Sequence, residues 1–376
     1  MSDRLRQRAA ATPAMIAVWS DAATIAHALA FEVALAEAEA AVGLLPVATA
    51  TRIAAAARAL TIDPHALADE AALAGTLAIP LVRRLRAAVG EGGDQVHRGA
   101  TSQDVADTVL VLQLRDVARL LLADARRIAQ ALATLARDHA GRPAVGRTLL
   151  QDALPIGFGL RPAQWRSGLV AAAYGVEQAV AALPVQFGGA AGTRAGLDGY
   201  AAEVASGVAT RLGLPVAPPW QARRIATAGM AAALGILIGA TAKMARDIAL
   251  LAQNAIGEMR EPAIPGRGGS SAMAHKRNPT GCQVTLAAAT RAPGLVAGVL
   301  AAMPGEEERG LGGWQAEGPM LADLALLASG ALDAMATVAE GLEIAPDAIA
   351  RNLAAAGIGD DIGDSIALVA ALLEDG

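Results

Sequence analysis

A single cysteine, Cys282, stands among 376 residues, so an intramolecular disulfide is impossible and a structural zinc site built from several thiolates is excluded. Aromatic residues make up only 2% of a chain that is 54% hydrophobic. Its core must therefore be built from Ala, Leu, Val and Ile, and Ala and Leu head the helix-propensity ranking. Excess positive charge is missing as well: the net charge is −5 and the pI about 5.6, so there is no sign of a basic face for nucleic acid. Neither an HExxH motif nor a histidine pair at helical spacing occurs among the five histidines, so no metal is expected. The opening MSDRLRQRAAATPAM carries charge without an apolar h-region, which predicts a cytoplasmic rather than a secreted protein. Lysine is the scarcest charge. Of 31 basic residues 29 are arginine, and the two lysines are Lys243 and Lys276.

What is present in abundance is helical periodicity, and it predicts an all-α protein built on a long-helix bundle. Ser20 or Asp21 caps an apolar-periodic run that Gly43 stops. Further helices are predicted over Thr51 to Leu60, Pro64 to Val89, Asp104 to His139, Gly159 to Ala182 and Arg223 to Met259. The stretch Ile225 to Ala242 has no charged residue and approaches membrane-spanning length. Its small residues and lack of an aromatic belt read as a buried bundle helix, with no membrane partner. The expected organisation is an N-terminal helical domain over 1–110, a central long-helix bundle over 111–342 and a short C-terminal helical segment over 343–376. A chain of this length can bury a large core.

Polar chemistry is confined to three islands between these helices. The first is Val96 to Asp104, VHRGATSQD, where Thr101 and Ser102 precede a long helix. Hydroxyls and free N–H groups there can receive a carboxylate, or simply cap the helix. The second, GRTLLQ from Gly146 to Gln151, crowds an arginine, a hydroxyl and an amide between apolar neighbours, as a donor cluster or a capping box. The third, GRGGSSAMAHKRNP from Gly266 to Pro279, joins three glycines to two serines and the retained Lys276. Glycine lets backbone N–H groups approach a ligand closely, so this loop is suited to an anion. His97 and His275 fall inside islands, which fits acid-base work or anion binding. A run of acids, Glu306 to Glu308, leads to Arg309.

GGSSAMAHKRNP resembles the signature loop of the fumarase/aspartase superfamily, and HRGATSQDVADT and GRTLLQ resemble its two other shared segments in the same chain order. Phe187 to Thr193, Pro219-Trp220, Glu261-Pro262 and Glu308 to Glu317 extend the resemblance, which covers about Trp19 to Asn352 and is greatest to cycloisomerases of the superfamily. It implies a homotetramer whose active sites are shared between subunits, and addition or elimination across a C–C bond beside a carboxylate, with no cofactor. In the cycloisomerase branch a carboxylate of a tricarboxylate substrate adds to a double bond of the same molecule and closes a lactone. Carried over residue by residue, Ser270 is the catalytic serine that handles a proton on carbon, and Lys276 stabilises its alkoxide and the growing negative charge. His97, Thr101, Ser102, Thr148, Gln151, Ser271, Asn278 and Arg309 match substrate-binding positions. Departures are Leu149 where related lyases carry His, Ala274 for a loop Pro, and Gln221, Ile225 and Glu307 where His, Asp and His are usual. The alternatives are a fumarate-releasing lyase of the same superfamily and a catalytically silent helical scaffold.

Overall fold

The structure is a computed structural model that describes residues 8, 10–269, 273 and 276–374. Capping decides where the first helices begin. Thr12 accepts from the backbone of Met15 at the start of α1 (Pro13–Val18), and Ser20 from that of Ala23 at the start of α2 (Asp21–Ala41). Then come α3 (Val47–Ala59), α4 (Pro64–Ala74) and α5 (Ala78–Val89). The single helix expected over Pro64 to Val89 is thus two, because Gly75 adopts φ +71° and ends α4 in the left-handed conformation that glycine tolerates. α6 (Ser102–Asp138) starts at Thr101 rather than at Asp104. Asp104 sits one turn in and closes a capping box with Thr101.

The second island is neither cap nor helix. It is the tip of an antiparallel hairpin, β1 (Pro143–Thr148) and β2 (Gln151–Gly157), in which Thr148 pairs with Gln151. After it come α7 (Leu160–Ala181), α8 (Ala201–Leu212) and α9 (Ile225–Leu251), which ends eight residues earlier than its pattern predicts, the chain turning back so that Glu258 N donates to Leu251 O. A two-residue strand, β3 (Met259–Arg260), α10 (Thr280–Ala301), α11 (Gly313–Glu340), β4 (Glu343–Ile344), α12 (Pro346–Ala356) and α13 (Ser365–Glu374) complete the order, with β3 paired to β4.

α6, α7, α9, α10 and α11 pack as the central bundle. Its core is largely alanine, leucine and methionine, including Leu121, Leu234, Leu324 and Met335. Small side chains let these helices approach closely, as the scarcity of aromatics suggests. A second core around Phe31, Leu81 and Val208 joins α2, α5 and α8 to the first turns of α6. At 1.5 Å per residue the 37-residue α6 is about 55 Å long, so the first and second islands lie at opposite ends of the bundle.

α9, α10 and α11 are each long and apolar enough to cross a membrane by length and composition. Half of the most apolar stretch of α9 is buried, but only 22% of that of α10.

Candidate active site

The N-terminus of α6 is where most of the polar side chains converge. Thr101 caps it, and its Oγ1 accepts a 2.6 Å hydrogen bond from Arg309 Nη2, which also donates to the Ala190 carbonyl at 3.3 Å. Arg309 Nε is buried with no hydrogen-bond partner among the described residues. A guanidinium at a helix N-terminus, with a donor to spare, has the chemistry to receive a carboxylate.

His97 reaches the same end of α6. It holds φ +68°, a strained conformation for a residue with a β-carbon, and its Nδ1 lies 2.6 Å from Glu32 Oε1. Burial disfavours its charged form, but the hydrogen bond and charge of Glu32, with Asp104 behind, outweigh it and hold the His97 pKa above its usual value. His97 and Ser102 line a cavity of about 320 Å³ together with Arg83 and Arg86. On the far side of Ser102 lies a second cavity, of about 440 Å³, bounded by Trp19, Asp107 and Trp314.

Behind these groups is a buried network that motif reading did not single out. The Asp104 carboxylate accepts from Thr101 N, Gly188 N, Gly189 N and Gln186 Nε2, all within 3.0 Å. Burial pushes its pKa up to about 6 in spite of these four donors. Gln186 also accepts from Trp220 N and donates to Gln221 Oε1. Gln221, where a histidine is usual, therefore serves as a link in this network. Deeper still, Arg224 donates to Asp107 and Glu317, at distances down to 2.7 Å, and lies over the Trp220 ring at 4.8 Å. This triad ties α6, α9 and α11 together. Glu32 and Glu39, seven residues apart on one face of α2, were the available clue to buried polar chemistry here.

The other islands lie at the opposite end. Thr148 and Gln151 are exposed at the hairpin tip, where Gln151 Nε2 donates to the carbonyl of neighbouring Leu150. Leu149 and Leu150 hold φ +52° and +63° and are 95% and 74% exposed. Next to the tip, Arg147 anchors the hairpin on buried Glu258, 2.7 Å. Three residues on, Glu261 accepts from Gly281 N and Cys282 N and so caps α10 directly after the glycine-rich loop. In that loop Asn278 N donates to Gly268 O at 2.8 Å, and Arg277 is held by Glu343. Lys276 is exposed, with no ion pair among the described residues. Ser270, Ser271, Ala274 and His275 lie outside the described residues. One chain therefore joins Thr101, Ser102, His97 and Arg309 at one end, and carries Thr148, Gln151, Lys276 and Asn278 at the other.

A long-helix bundle with donors gathered on the loops at its ends defines an all-α enzyme of the lyase type. The family described as Lyase matches residues 7–294. The 3-carboxy-cis,cis-muconate cycloisomerase of Pseudomonas aeruginosa is 46% identical over 349 residues, 90% of this chain and 75% of that protein. The nitrosuccinate lyase of Streptomyces davaonensis is 38% identical over 373 residues, 96% of this chain and 78% of that protein. The solved structure of the 3-carboxy-cis,cis-muconate lactonizing enzyme of Pseudomonas putida matches with a TM-score of 0.92 at 36% identity, covering 99% of each chain. The chain belongs to this lyase family, the fumarase/aspartase superfamily that its three motifs resemble.

Proposed function

We propose that the protein is a cytoplasmic homotetrameric cycloisomerase that converts 3-carboxy-cis,cis-muconate to a carboxymuconolactone without a cofactor, within aromatic-acid catabolism. The observation that carries the reading is the identity to such a cycloisomerase over 90% of the chain. The geometry adds a carboxylate receptor, with Arg309 clamped on Thr101 at the N-terminus of α6. One carboxylate of the substrate adds to a double bond within the molecule while a proton is delivered to the carbon beside another. Ser270 handles that proton, and Lys276 offsets the negative charge. Arg309, Thr101, Ser102 and His97 hold one carboxylate; Thr148, Gln151, Ser271 and Asn278 hold the rest of the substrate.

Distance supports an assembly with shared sites. Thr101 caps the start of α6, which is about 55 Å long, and Thr148 lies on the hairpin that follows its other end, so no single chain closes the site. Copies packed antiparallel along their bundles bring the hairpin end of one to the Thr101 end of another, and cover the apolar face of α10.

Purified protein mixed with 3-carboxy-cis,cis-muconate should bleach the diene absorbance in the ultraviolet. An unchanged spectrum would sink the assignment. Identity to a nitrosuccinate lyase favours one second reading, a lyase that releases fumarate. Leu149 supplies no acid-base group at the tip, which argues against a lyase that uses a histidine there.

A further inference from the structure

We propose that Asp104 is a positioning residue for carboxylate recognition, acting through Arg309; the inference rests on the reading of Arg309 as a ligand of a substrate carboxylate. The guanidinium is held by two acceptors from different parts of the chain, Thr101 Oγ1 and the Ala190 carbonyl. A single atom, Asp104 Oδ2, accepts from Thr101 N at 3.0 Å and from Gly189 N, one residue before Ala190, at 2.9 Å. That oxygen therefore sets the spacing between the two acceptors and, through them, the direction of Arg309.

The other oxygen, Oδ1, accepts from Gly188 N at 2.8 Å and Gln186 Nε2 at 2.9 Å, so rotating the carboxylate breaks bonds on both sides. An ordinary capping box requires only the bond to Thr101. The three bonds to Gln186, Gly188 and Gly189 are surplus to capping, and they are the ones that fix the Ala190 segment against the helix end. Asp104 is 0% exposed. It works from behind the residues that face the substrate.

Asp104→Asn keeps the shape but turns an NH₂ group toward two of the four N–H donors, which loosens the clamp. With 3-carboxy-cis,cis-muconate as substrate, KM should rise roughly tenfold or more while kcat changes by less than about threefold, because a clamp on a substrate carboxylate supplies uniform binding. Arg309→Ala should raise KM by itself, and in that background Asp104→Asn should add less than about a twofold effect. Gly189→Ala perturbs the same bond from the other side, since its β-carbon would meet the Gly99 carbonyl at 2.8 Å, and it should show the same dependence on Arg309. This variant carries the test if Asp104→Asn does not fold. Equal, multiplicative losses with and without Arg309 would overturn the proposal and leave Asp104 a structural cap. If Arg309→Ala leaves KM unchanged while the protein remains active, the carboxylate reading of Arg309 falls and the proposal with it.

Discussion

Glu39 is the residue whose chemistry is most altered by the fold. Both its carboxylate oxygens are buried without hydrogen-bond partners among the described residues, and burial pushes its pKa up to about 8. Arg98 and His97 act in the opposite direction, and Glu32 reinforces the rise. The fold favours the protonated form, so this group's contribution to stability is fully present below the ordinary glutamate range near 4.5 and is lost as pH rises through about 8. Glu39→Gln, which cannot ionise, should therefore unfold at a higher temperature than the native protein at pH 9, with the gap shrinking toward pH 6. Parallel melting profiles across that range would contradict the burial argument. On the catalytic side, Ser270→Ala should lower turnover by orders of magnitude with the fold retained, as judged by circular dichroism beside the diene assay. A scaffold without chemistry would lose nothing.

At the scale of elements, two features store opposite kinds of energy. The Arg224 triad joins three helices through a buried cation and two buried carboxylates. Arg224→Met should destabilise the fold by about 3–5 kcal/mol in urea unfolding, because two buried anions lose their partner. The hairpin tip holds strain. A two-residue turn with positive φ at both positions normally takes Asn-Gly, and here it is Leu149-Leu150, at a cost on the order of 1–3 kcal/mol per residue. Replacing them with Asn-Gly should raise the melting temperature and reduce turnover, if the strain is maintained for function. The hairpin itself was hidden from pattern reading because its turn carries neither glycine nor asparagine, whereas the long helices were legible from apolar spacing and caps. Gly75 marks the other limit: a glycine inside a helical pattern is tolerated or terminal depending on its φ, which depends on how α4 and α5 pack.

For the whole molecule, the separation between the two ends of the bundle has a direct consequence. Thr101→Ala subunits should bind substrate weakly and Ser270→Ala subunits should turn it over very slowly, yet activity at low substrate should partly return when they are co-assembled, because some sites then receive both native ends. Co-expression followed by the diene assay checks this, and no recovery in a confirmed mixed oligomer would argue against shared sites. The exposed apolar face of α10 makes a related prediction. Glutamate at Ala297 and Leu300, both exposed, should shift the protein to smaller species in analytical ultracentrifugation if that face is covered by another copy.

The amino-acid sequence by itself determined the all-α class, the long helices, the three ordered motifs and the family they indicate, since these depend on local periodicity and on which residue types stand side by side. Only the tertiary structure decided that Arg309 closes on Thr101, that Asp104 lies behind both, that Gln221 is a network link and that GRTLLQ is a strained hairpin tip. Those facts depend on contacts between residues far apart in the chain, such as Thr101 and Arg309, separated by 208 positions. No local pattern records such a pairing, because it forms only when α6, α10 and α11 pack and bring their ends together.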